Sequence, residues 1–391
     1  MISQSYFDSI IDRKNTNCVK YDLLKSLYGR EDLISMWVAD MDFETPPFII
    51  EYLKKRIDHH FFGYSFRNKS FNKSVQRWLK LRHEWQINEE WVTFCPGIVP
   101  ALNFAVMAFS DVNDEIIVQT PVYTPFFGAI KDHNRVMIEN PLIIENGCYK
   151  MDFDGLKKCI SKKTKIFLLC SPHNPVGRVW NREELKKLSE ICLENNILII
   201  SDEIHQDIVY SPHVHIPLGK INPEIAENSI ICISPSKTFN IAGLSSSAII
   251  ISDELKREKF IQVINKFHLS QGNIFGNIAL ESAYNYGETY VDELVNYLKN
   301  NIDFTLDFLS EYLPDIKVTI PESTYLLWLD FSKYHLPQKK LNDLLINKAG
   351  LALSDGRIYG RGGTGFQRMN IALPKEVLEK GLNQLYYALE K

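Results

Sequence analysis

One lysine lies in a setting that suits covalent chemistry. Lys237 occurs in the stretch SPSKTFNIAG (Ser234–Gly243), directly after an apolar run that is typical of a buried strand. Burial at a strand end lowers the pKa of a lysine, and its neutral amine can then form a Schiff base with a carbonyl. In this interpretation Ser234 and Ser236 bind a phosphate. The alternative is an ordinary surface lysine in a polar loop.

Two further polar side chains follow apolar, strand-like runs. Asp202 comes after ILIIS, and Asn174 lies in the loop CSPHNPVGRVW that follows IFLL. Ligands of open α/β sheets bind at the carboxyl ends of the strands. Asp202 is therefore either a carboxylate that keeps a heterocyclic nitrogen protonated or an acidic helix N-cap. Asn174 is either a ligand or a turn former, and we expect a cis peptide bond before Pro172 or Pro175.

A fourth stretch offers a place for a phosphate. FCPGIVPA (Phe94–Ala101) leads into the helix-like run ALNFAVMAF, and Gly97 stands near the start of that helix. The N-terminus of a helix presents free backbone N–H groups and the positive end of the helix dipole. Gly97 therefore marks a candidate phosphate site, although an ordinary helix start has the same pattern.

Composition limits the classes of protein to which the chain can belong. Of 391 residues, 45% are hydrophobic and 24% are charged, which excludes a disordered or collagen-like chain. The net charge of -4 and the lack of a Lys/Arg block argue against nucleic-acid or membrane partners. No apolar run approaches the ~20 residues of a membrane span, and no signal peptide is evident, so we expect a cytoplasmic protein. The seven cysteines are scattered without a CxxC pair, and we predict neither a disulfide framework nor a metal site.

The middle of the chain alternates apolar runs with amphipathic stretches such as Asn181–Asn195, which has Asn181 as a candidate N-cap. The runs lack apolar–polar alternation, as expected for strands buried on both faces. This order predicts an α/β fold with a mostly parallel sheet flanked by helices. The predicted strands are Glu115–Gln119, Lys165–Cys170, Ile197–Ser201, Ile230–Ser234 and Ser247–Ser252.

The last third of the chain has a different pattern. A long amphipathic stretch at about Gly287–Leu313 precedes short strand-like runs, and a final helix is expected from Pro374. We predict a large domain over residues 51–286 and a small α+β domain over residues 287–391, with the segment 1–50 packing against the small domain. The short strands are predicted at Lys317–Ile320, Thr324–Asp330 and Gln367–Leu373.

The order and spacing of these motifs resemble those of the fold-type I pyridoxal-phosphate enzymes of the class I/II aminotransferase superfamily. Asn174, Asp202 and Lys237 follow one another at intervals of 28 and 35 residues. The segments MWVADMDFETPP, FGYS, TPVYTPFF, SPHNPVGRVW, SDEIHQD and SPSKTFNIAGL are similar to those of the MalY/PatB-type carbon–sulfur lyases, also called cystathionine β-lyases. The resemblance extends over nearly the whole chain and implies pyridoxal 5′-phosphate as cofactor.

The resemblance also implies roles for individual residues. Lys237 would carry the cofactor and move protons, Asp202 would pair with the ring nitrogen, and Tyr123 would stack on the ring and take part in catalysis. Asn174 and His205 would lie near the 3′-oxygen. The complete cofactor set implied is Gly97, Ile98, Val99, Tyr123, Asn174, Asp202, His205, Ser234, Ser236 and Lys237.

Other roles concern the substrate and a second subunit. Arg368 would bind the substrate carboxylate as a fork, and Ala39 and Asp40 would line the substrate entrance. Tyr64 would act in the site of a neighbouring subunit, which implies a homodimer with a shared active site. The wider superfamily usually has an arginine eight residues after the lysine, where this chain has Ser245. Phosphate binding would then depend on backbone amides, serines and the partner subunit.

The implied activity is β-elimination of L-cystathionine or a related cysteine S-conjugate to a thiol, pyruvate and ammonia. An aminotransferase remains the alternative, because the same residues can leave the amino group on the cofactor. A regulatory binding module is a third possibility, although we expect neither a winged-helix domain nor DNA binding. We interpret GRGGTG (Gly360–Gly365) as a loop and not a dinucleotide motif, because a strand-like run follows it. His213 and His215 lack carboxylate or cysteine neighbours at ligand spacing, which favours a polar loop.

Overall fold

The computed structural model describes residues 4–389. The helices are α1 Gln4–Phe7, α2 Val19–Asp22, α3 Leu24–Tyr28, α4 Pro47–Ile57, α5 Lys69–His83, α6 Ile98–Phe109, α7 Pro125–Lys131, α8 Phe153–Cys159, α9 Arg182–Glu194, α10 Pro223–Glu227, α11 Glu254–Lys266, α12 Ile274–Tyr286, α13 Glu288–Tyr312, α14 Gln338–Asp343 and α15 Lys375–Leu389. The strands are β1 Ile34–Ser35, β2 Val92–Cys95, β3 Glu115–Val118, β4 Val136–Glu139, β5 Ile143–Glu145, β6 Cys148–Lys150, β7 Thr164–Cys170, β8 Leu198–Asp202, β9 Ser229–Ile233, β10 Ser247–Ile250, β11 Lys317–Val318, β12 Leu326–Asp330, β13 Leu351–Ala352, β14 Ser354–Asp355 and β15 Phe366–Asn370.

The large sheet has seven strands in the order β2-β10-β9-β8-β7-β3-β4. All of its pairs are parallel except those of β10, which runs antiparallel to both β9 and β2. The five predicted apolar strands all lie in this sheet, which confirms the α/β fold with a mostly parallel sheet. Sequence reasoning missed β2 and the edge strand β4. The carboxyl ends of β7, β8 and β9 lie side by side, so Cys170, Asp202 and Ser234 come to the same edge.

Helix α9 shows how local sequence determines an element. The Asn181 side chain accepts from the Glu184 backbone N–H, and the Glu184 carboxylate accepts from the Asn181 N–H. This reciprocal capping box satisfies backbone donors at the helix start that have no partner within the helix. The predicted helix and its N-cap are thereby confirmed. Its apolar face packs toward the sheet through Leu185, Leu188, Ile191 and Cys192.

The C-terminal part contains a four-stranded antiparallel sheet in the order β11-β12-β15-β14, with α13 and α15 nearby. The N-terminal segment joins this part, because β1 pairs in parallel with β13 and α1 contacts α13. The predicted strand at Lys317–Ile320 ends earlier, at Val318, and the final helix begins one residue after Pro374. The three-part domain division stays a prediction.

Several loops carry features that the sequence analysis singled out. The peptide bonds before Pro172 and Pro175 are both cis. GRGGTG connects a short 3-10 turn to β15, which is not the strand-to-helix setting of a dinucleotide motif. His215 is buried and pairs with Glu203 at 2.9 Å. Between residues 4 and 389, no helix is long and apolar enough to cross a membrane.

Candidate active site

A cavity of about 200 Å³ lies at the carboxyl edge of the large sheet. Its walls come from the ends of β7, β8 and β9, the N-terminus of α6 and one residue of the N-terminal segment. All ten residues expected to bind the cofactor line this cavity, and so does Ala39. Ser245, which stands where the wider superfamily has an arginine, also lines the cavity. The structure adds further lining residues that sequence reasoning missed, namely Pro96, Pro100, Cys170, Ile204, Ala242 and Ser246.

Lys237 lies in the turn that follows β9. The Ser236 backbone N–H donates to the Ser234 hydroxyl oxygen at 3.2 Å, and that hydroxyl donates to the Ser246 carbonyl at 2.8 Å, which fixes the start of the turn. The Lys237 Nζ donates to the Ala39 carbonyl at 2.7 Å. Burial is the largest cause, and the positive charge of Arg368 the second, that lower the pKa of Lys237 to about 8. A large share of the lysine is therefore a neutral, nucleophilic amine in weakly alkaline solution.

Asp202 ends β8 and is almost fully buried. Its Oδ1 accepts one backbone N–H, from Ile204 at 3.1 Å. Burial raises the pKa of Asp202 to about 7, because this hydrogen bond and the charge of Lys237 only partly offset the loss of water. The ionised carboxylate thus lacks a close cation in the described protein. A protonated ring nitrogen in the cavity would provide one.

His205 and Asn174 stand together on one side of the cavity. Burial, followed by the charges of Lys237 and Arg368, lowers the pKa of His205 to about 3, so its ring is neutral. The His205 Nδ1 is buried without a hydrogen-bond partner in the structure. The Asn174 Oδ1 accepts from Arg368 Nη1 at 3.1 Å. An oxygen substituent on a bound ring would give these side chains a polar partner.

The part of the cavity lined by the N-terminus of α6 suits an anion. Gly97 precedes α6 with φ +118°, a conformation that side chains rarely adopt, and no side chain caps the helix N-terminus. Four serines (Ser234, Ser236, Ser245 and Ser246) line the same cavity, and the buried Ser246 hydroxyl has no partner in the structure. Among the described residues that line the cavity there is no arginine. Free helix N–H groups and hydroxyls can bind a phosphate without one.

Arg368 lies on β15 beside the cavity. Its Nη2 donates to the Trp37 carbonyl at 2.7 Å, and its guanidinium stacks 5.2 Å from the centre of the Tyr359 ring. The buried Nε has no partner in the structure. The side chain is therefore held rigidly while one of its donors remains available for an anionic group.

Asp40 is placed differently from its neighbour Ala39. The Asp40 side chain does not line the cavity, because two cations of the N-terminal segment bind it. Arg13 Nη2 lies 2.7 Å from its Oδ2, and the fully buried Lys20 Nζ lies 3.6 Å from its Oδ1. The expected position of Asp40 at the substrate entrance stays a prediction.

Tyr64 lies outside the cavity of its own chain. Its side chain is fully exposed, and the neighbouring Phe61, Phe62 and Phe66 are exposed as well. With Phe62 it lines an open groove formed with residues 271–277. The expected role of Tyr64 in a second subunit's site is compatible with this position and stays a prediction.

Sequence reasoning missed the side chains that hold the irregular segment 36–43 beside Lys237. The Asn370 Nδ2 donates to the Val38 and Asp40 carbonyls, each at 2.6 Å. The Asn240 Nδ2 donates to the carbonyls of Met41 and Phe43, each at 2.8 Å. Asn240 comes three residues after Lys237, and Asn370 comes two residues after Arg368. Their proximity in sequence to these two site residues was the signal by which Asn240 and Asn370 could have been found.

Comparison with known proteins identifies the family. The family model described as "aminotransferase class I and II" matches residues 31–385 of the chain. The chain belongs to this aminotransferase family. Cystathionine beta-lyase PatB of Bacillus subtilis (strain 168) is 43% identical over 384 residues, which cover 98% of this chain and 99% of PatB. The family expected from the sequence is confirmed.

Two solved structures of related proteins have the same fold as this member of the aminotransferase family. Cystalysin from Treponema denticola, which contains pyridoxal 5′-phosphate, superimposes with a TM-score of 0.95 at 37% identity and covers 100% of this chain and 99% of its own. The pyridoxal-phosphate-bound C-S lyase from Staphylococcus hominis gives a TM-score of 0.91 at 35% identity, with 98% of each chain covered. The predicted fold-type I architecture is confirmed.

Proposed function

We propose that this chain is a pyridoxal-phosphate-dependent carbon–sulfur β-lyase. Its substrate is L-cystathionine or a related cysteine S-conjugate, and its products are a thiol, pyruvate and ammonia. One observation carries the proposal: a partly buried lysine with a lowered pKa and a buried aspartate without an ion-pair partner among the described residues share a cavity lined by a helix N-terminus. The identity of 43% to cystathionine beta-lyase PatB supports the carbon–sulfur chemistry.

The residues of the cavity fit pyridoxal phosphate from end to end. Lys237 would hold its aldehyde carbon, Asp202 its ring nitrogen, and Asn174 with His205 the oxygen on the ring. The phosphate would bind the N–H groups at the start of α6 and the nearby serine hydroxyls. When bound, the cofactor supplies an electron sink that stabilises negative charge at the substrate α-carbon.

The protein groups then do the work of binding and proton transfer. Arg368, whose guanidinium lies beside the cavity and donates to Asn174, would bind the substrate carboxylate and so orient the α-carbon. The neutral Lys237 amine removes the α-proton, and the Ala39 carbonyl, 2.7 Å away, orients that amine. Tyr123 lines the cavity, burial raises the pKa of its phenol, and the neutral side chain would stack on the ring. Loss of the thiolate from the β-carbon completes the elimination.

An aminotransferase is the second candidate, because the family description names that activity and the same residues serve both reactions. The two differ in the fate of the amino group. A lyase releases ammonia and pyruvate from one substrate, whereas an aminotransferase needs a 2-oxo acid to complete its cycle.

The test is pyruvate release from L-cystathionine by purified protein loaded with pyridoxal phosphate, without an added oxo acid. We expect release by the wild type and none by Lys237→Ala. The control is Lys259→Ala, since Lys259 lies on α11, outside the residues that line the cavity. If ammonia and pyruvate are absent and turnover appears only after a 2-oxo acid is added, the protein is an aminotransferase.

We further propose a cytoplasmic homodimer in which Tyr64 of each subunit completes the cavity of the other. The full exposure of Tyr64 and its distance from its own cavity support this. Mixing inactive Lys237→Ala protein with Tyr64→Phe protein tests it. Hybrid dimers contain one cavity in which both residues are intact, so activity should reappear on mixing. A monomer in sedimentation experiments, or no recovery from confirmed hybrids, contradicts the shared site.

A further inference from the structure

Behind the cavity wall lies a cluster of buried polar side chains that the proposed chemistry does not use. It consists of His83 from α5, Glu203 and Asp207 after β8, His215, and Thr238. The exposed fraction of each of these residues is 8% or less. We call this set the rear cluster. Taking carboxylates and imidazoles out of water costs free energy, so the burial of these side chains requires an explanation.

Asp207 is the centre of the rear cluster. Its Oδ1 accepts from Trp78 Nε1 and from His83 Nε2, both at 3.0 Å. Its Oδ2 accepts from the Thr238 hydroxyl at 3.0 Å. Burial acts to raise the pKa of Asp207, but the interactions with His83, the charge of Arg82 and the hydrogen bond from Thr238 together outweigh it, and the pKa is lowered overall. The carboxylate is therefore ionised and fully used by three donors.

The bond between Asp207 and Thr238 joins two turns that carry site residues. Thr238 directly follows Lys237, and Asp207 comes two residues after His205. Lys237 and His205 line the cavity, whereas Thr238 and Asp207 are outside its lining and belong to the rear cluster. Asp207 and Thr238 are 31 positions apart in the sequence, and one side-chain contact thus closes the segment between them.

The third site residue is connected to the same cluster. Glu203 directly follows Asp202, and its Oε2 lies 2.9 Å from His215 Nε2. Its Oε1 accepts from the Ser201 hydroxyl at 2.8 Å. The His215 ring packs edge-on against the His83 ring, with centroids 5.5 Å apart. The residues that follow Asp202 and Lys237, and the residue two after His205, therefore all bind into one rigid polar unit.

We propose that Asp207 is a positioning residue that fixes, through the Thr238 hydroxyl, the place of Lys237 relative to Asp202 and His205. The inference rests on the proposed function, since that function gives Lys237 its covalent and proton-transfer roles. A stability role alone is a poor account, because apolar residues of similar volume stabilise a core as well as buried charges do. A displaced reacting group, in contrast, loses rate steeply with distance.

The experiment compares three variants of the pyridoxal-phosphate-loaded protein. Thr238→Val removes the hydroxyl and keeps the shape, and Thr238→Ser restores a hydroxyl. Thr305→Val is the matched control, because Thr305 is also fully buried and donates to the Asn301 carbonyl at 2.7 Å within α13. Four quantities are measured for each: the melting temperature, kcat and KM for pyruvate release, and the pH midpoint of the visible absorption change of the lysine–cofactor linkage.

We expect Thr238→Val to lower kcat about tenfold or more while KM stays within about twofold, since a misplaced group loses rate without losing substrate contacts. Its absorption midpoint should shift by about half a pH unit or more, because the surroundings of Lys237 change. Thr238→Ser should restore both, and Thr305→Val should alter only the melting temperature. Equal kcat and equal midpoints in Thr238→Val and Thr305→Val overturn the proposal.

Two further arms separate the possible failures. In a double-mutant cycle, Thr238→Val and Asp207→Asn should be less than additive in kcat, because both act through one bond. Full additivity overturns the role of Asp207. If the wild type releases no pyruvate, the proposed function fails, yet the absorption midpoint needs no turnover and still decides whether the Asp207–Thr238 bond positions Lys237.

Discussion

The substitution Asp202→Asn tests the electrostatics of the cavity without any turnover. Asparagine has nearly the shape of a protonated aspartic acid and carries no charge. In the cofactor-free protein, burial raises the pKa of Asp202 from its usual 3.8 to about 7. The folded state therefore holds a proton between these two pH values, whereas the unfolded state has lost it.

The sign of the effect follows from proton linkage. Because the folded state binds the extra proton, the free energy of unfolding contributed by Asp202 decreases as pH rises from about 4 to about 7. A shift of about three pKa units, at about 1.4 kcal/mol per unit, amounts to about 4 kcal/mol. Asparagine has no such penalty. The cofactor-free variant should equal the wild type near pH 4 and exceed it in stability by up to about 4 kcal/mol at pH 8.

The assay is thermal unfolding of both proteins between pH 5 and 8 after removal of the cofactor. For a chain of 391 residues, a difference of 4 kcal/mol corresponds to about 5 °C in melting temperature. Asp253→Asn is the control. Asp253 caps α11, accepts from the Lys256 N–H at 2.8 Å and has a lowered pKa, so its replacement should give no gain at pH 8.

A stability difference between Asp202→Asn and wild type that does not change with pH would refute this reasoning. Reloading with pyridoxal phosphate gives a second check, because the proposed partner of Asp202, the protonated ring nitrogen, would stabilise the charged carboxylate. Cofactor should therefore stabilise the wild type more than the variant at pH 8. Equal stabilisation of both proteins would mean that Asp202 does not interact with the ring nitrogen.

Three other substitutions test separate parts of the site. Arg368→Lys keeps the charge but loses the planar fork, so KM for L-cystathionine should rise about tenfold or more in steady-state assays, and an unchanged KM removes Arg368 from substrate binding. Lys20→Met removes the buried ammonium that lies 2.9 Å from the Asp42 carboxylate, and Arg13 remains as the cation beside that carboxylate. The free energy of unfolding in urea should fall by about 3 kcal/mol; no loss would mean that Arg13 alone compensates the charge of Asp42. Gly97→Ala requires an alanine to adopt φ +118°, a backbone conformation that residues with a side chain rarely adopt. The affinity for the cofactor should fall at least about fivefold in a pyridoxal-phosphate titration, whereas equal affinity would mean that this turn does not bind the phosphate.

The large sheet could be predicted because its central strands are continuous apolar runs. KIFLLC and ILIIS are buried on both faces, and burial of that kind leaves an unmistakable pattern in the sequence. The edge strand β4 escaped prediction, because its apolar run is only Val136–Ile138, between Arg135 and Glu139. β2 escaped because Thr93 interrupts the apolar run of its four residues.

The cavity could be predicted only through the motifs. Two of its supports, Asn240 and Asn370, lie within three residues of predicted site residues, but the contacts that the supports make could not be predicted. Lys237, Asp202 and Asn174 lie at strand ends that the sheet brings together. Asp207 and Thr238 stood inside the same quoted motifs, but nothing in their spacing shows that their side chains meet. The segment 36–43 has no regular structure, and Asn370, which holds it, lies 330 residues after Asp40. Contacts of this kind depend on the folded chain alone.

The edge position of β2 determines when the cofactor site can assemble during synthesis. Cys95 pairs with Ser247, about 150 residues later in the sequence. During synthesis β2 therefore cannot pair with β10, its neighbour in the sheet, until those residues have left the ribosome. Gly97 lies two residues after the end of β2, and the turn proposed to bind the phosphate therefore stays unformed while Asn174, Asp202 and Lys237 are already translated. Capture of pyridoxal phosphate by a nascent chain would accordingly mark the closing of the large sheet, and chains that end before residue 247 should bind none.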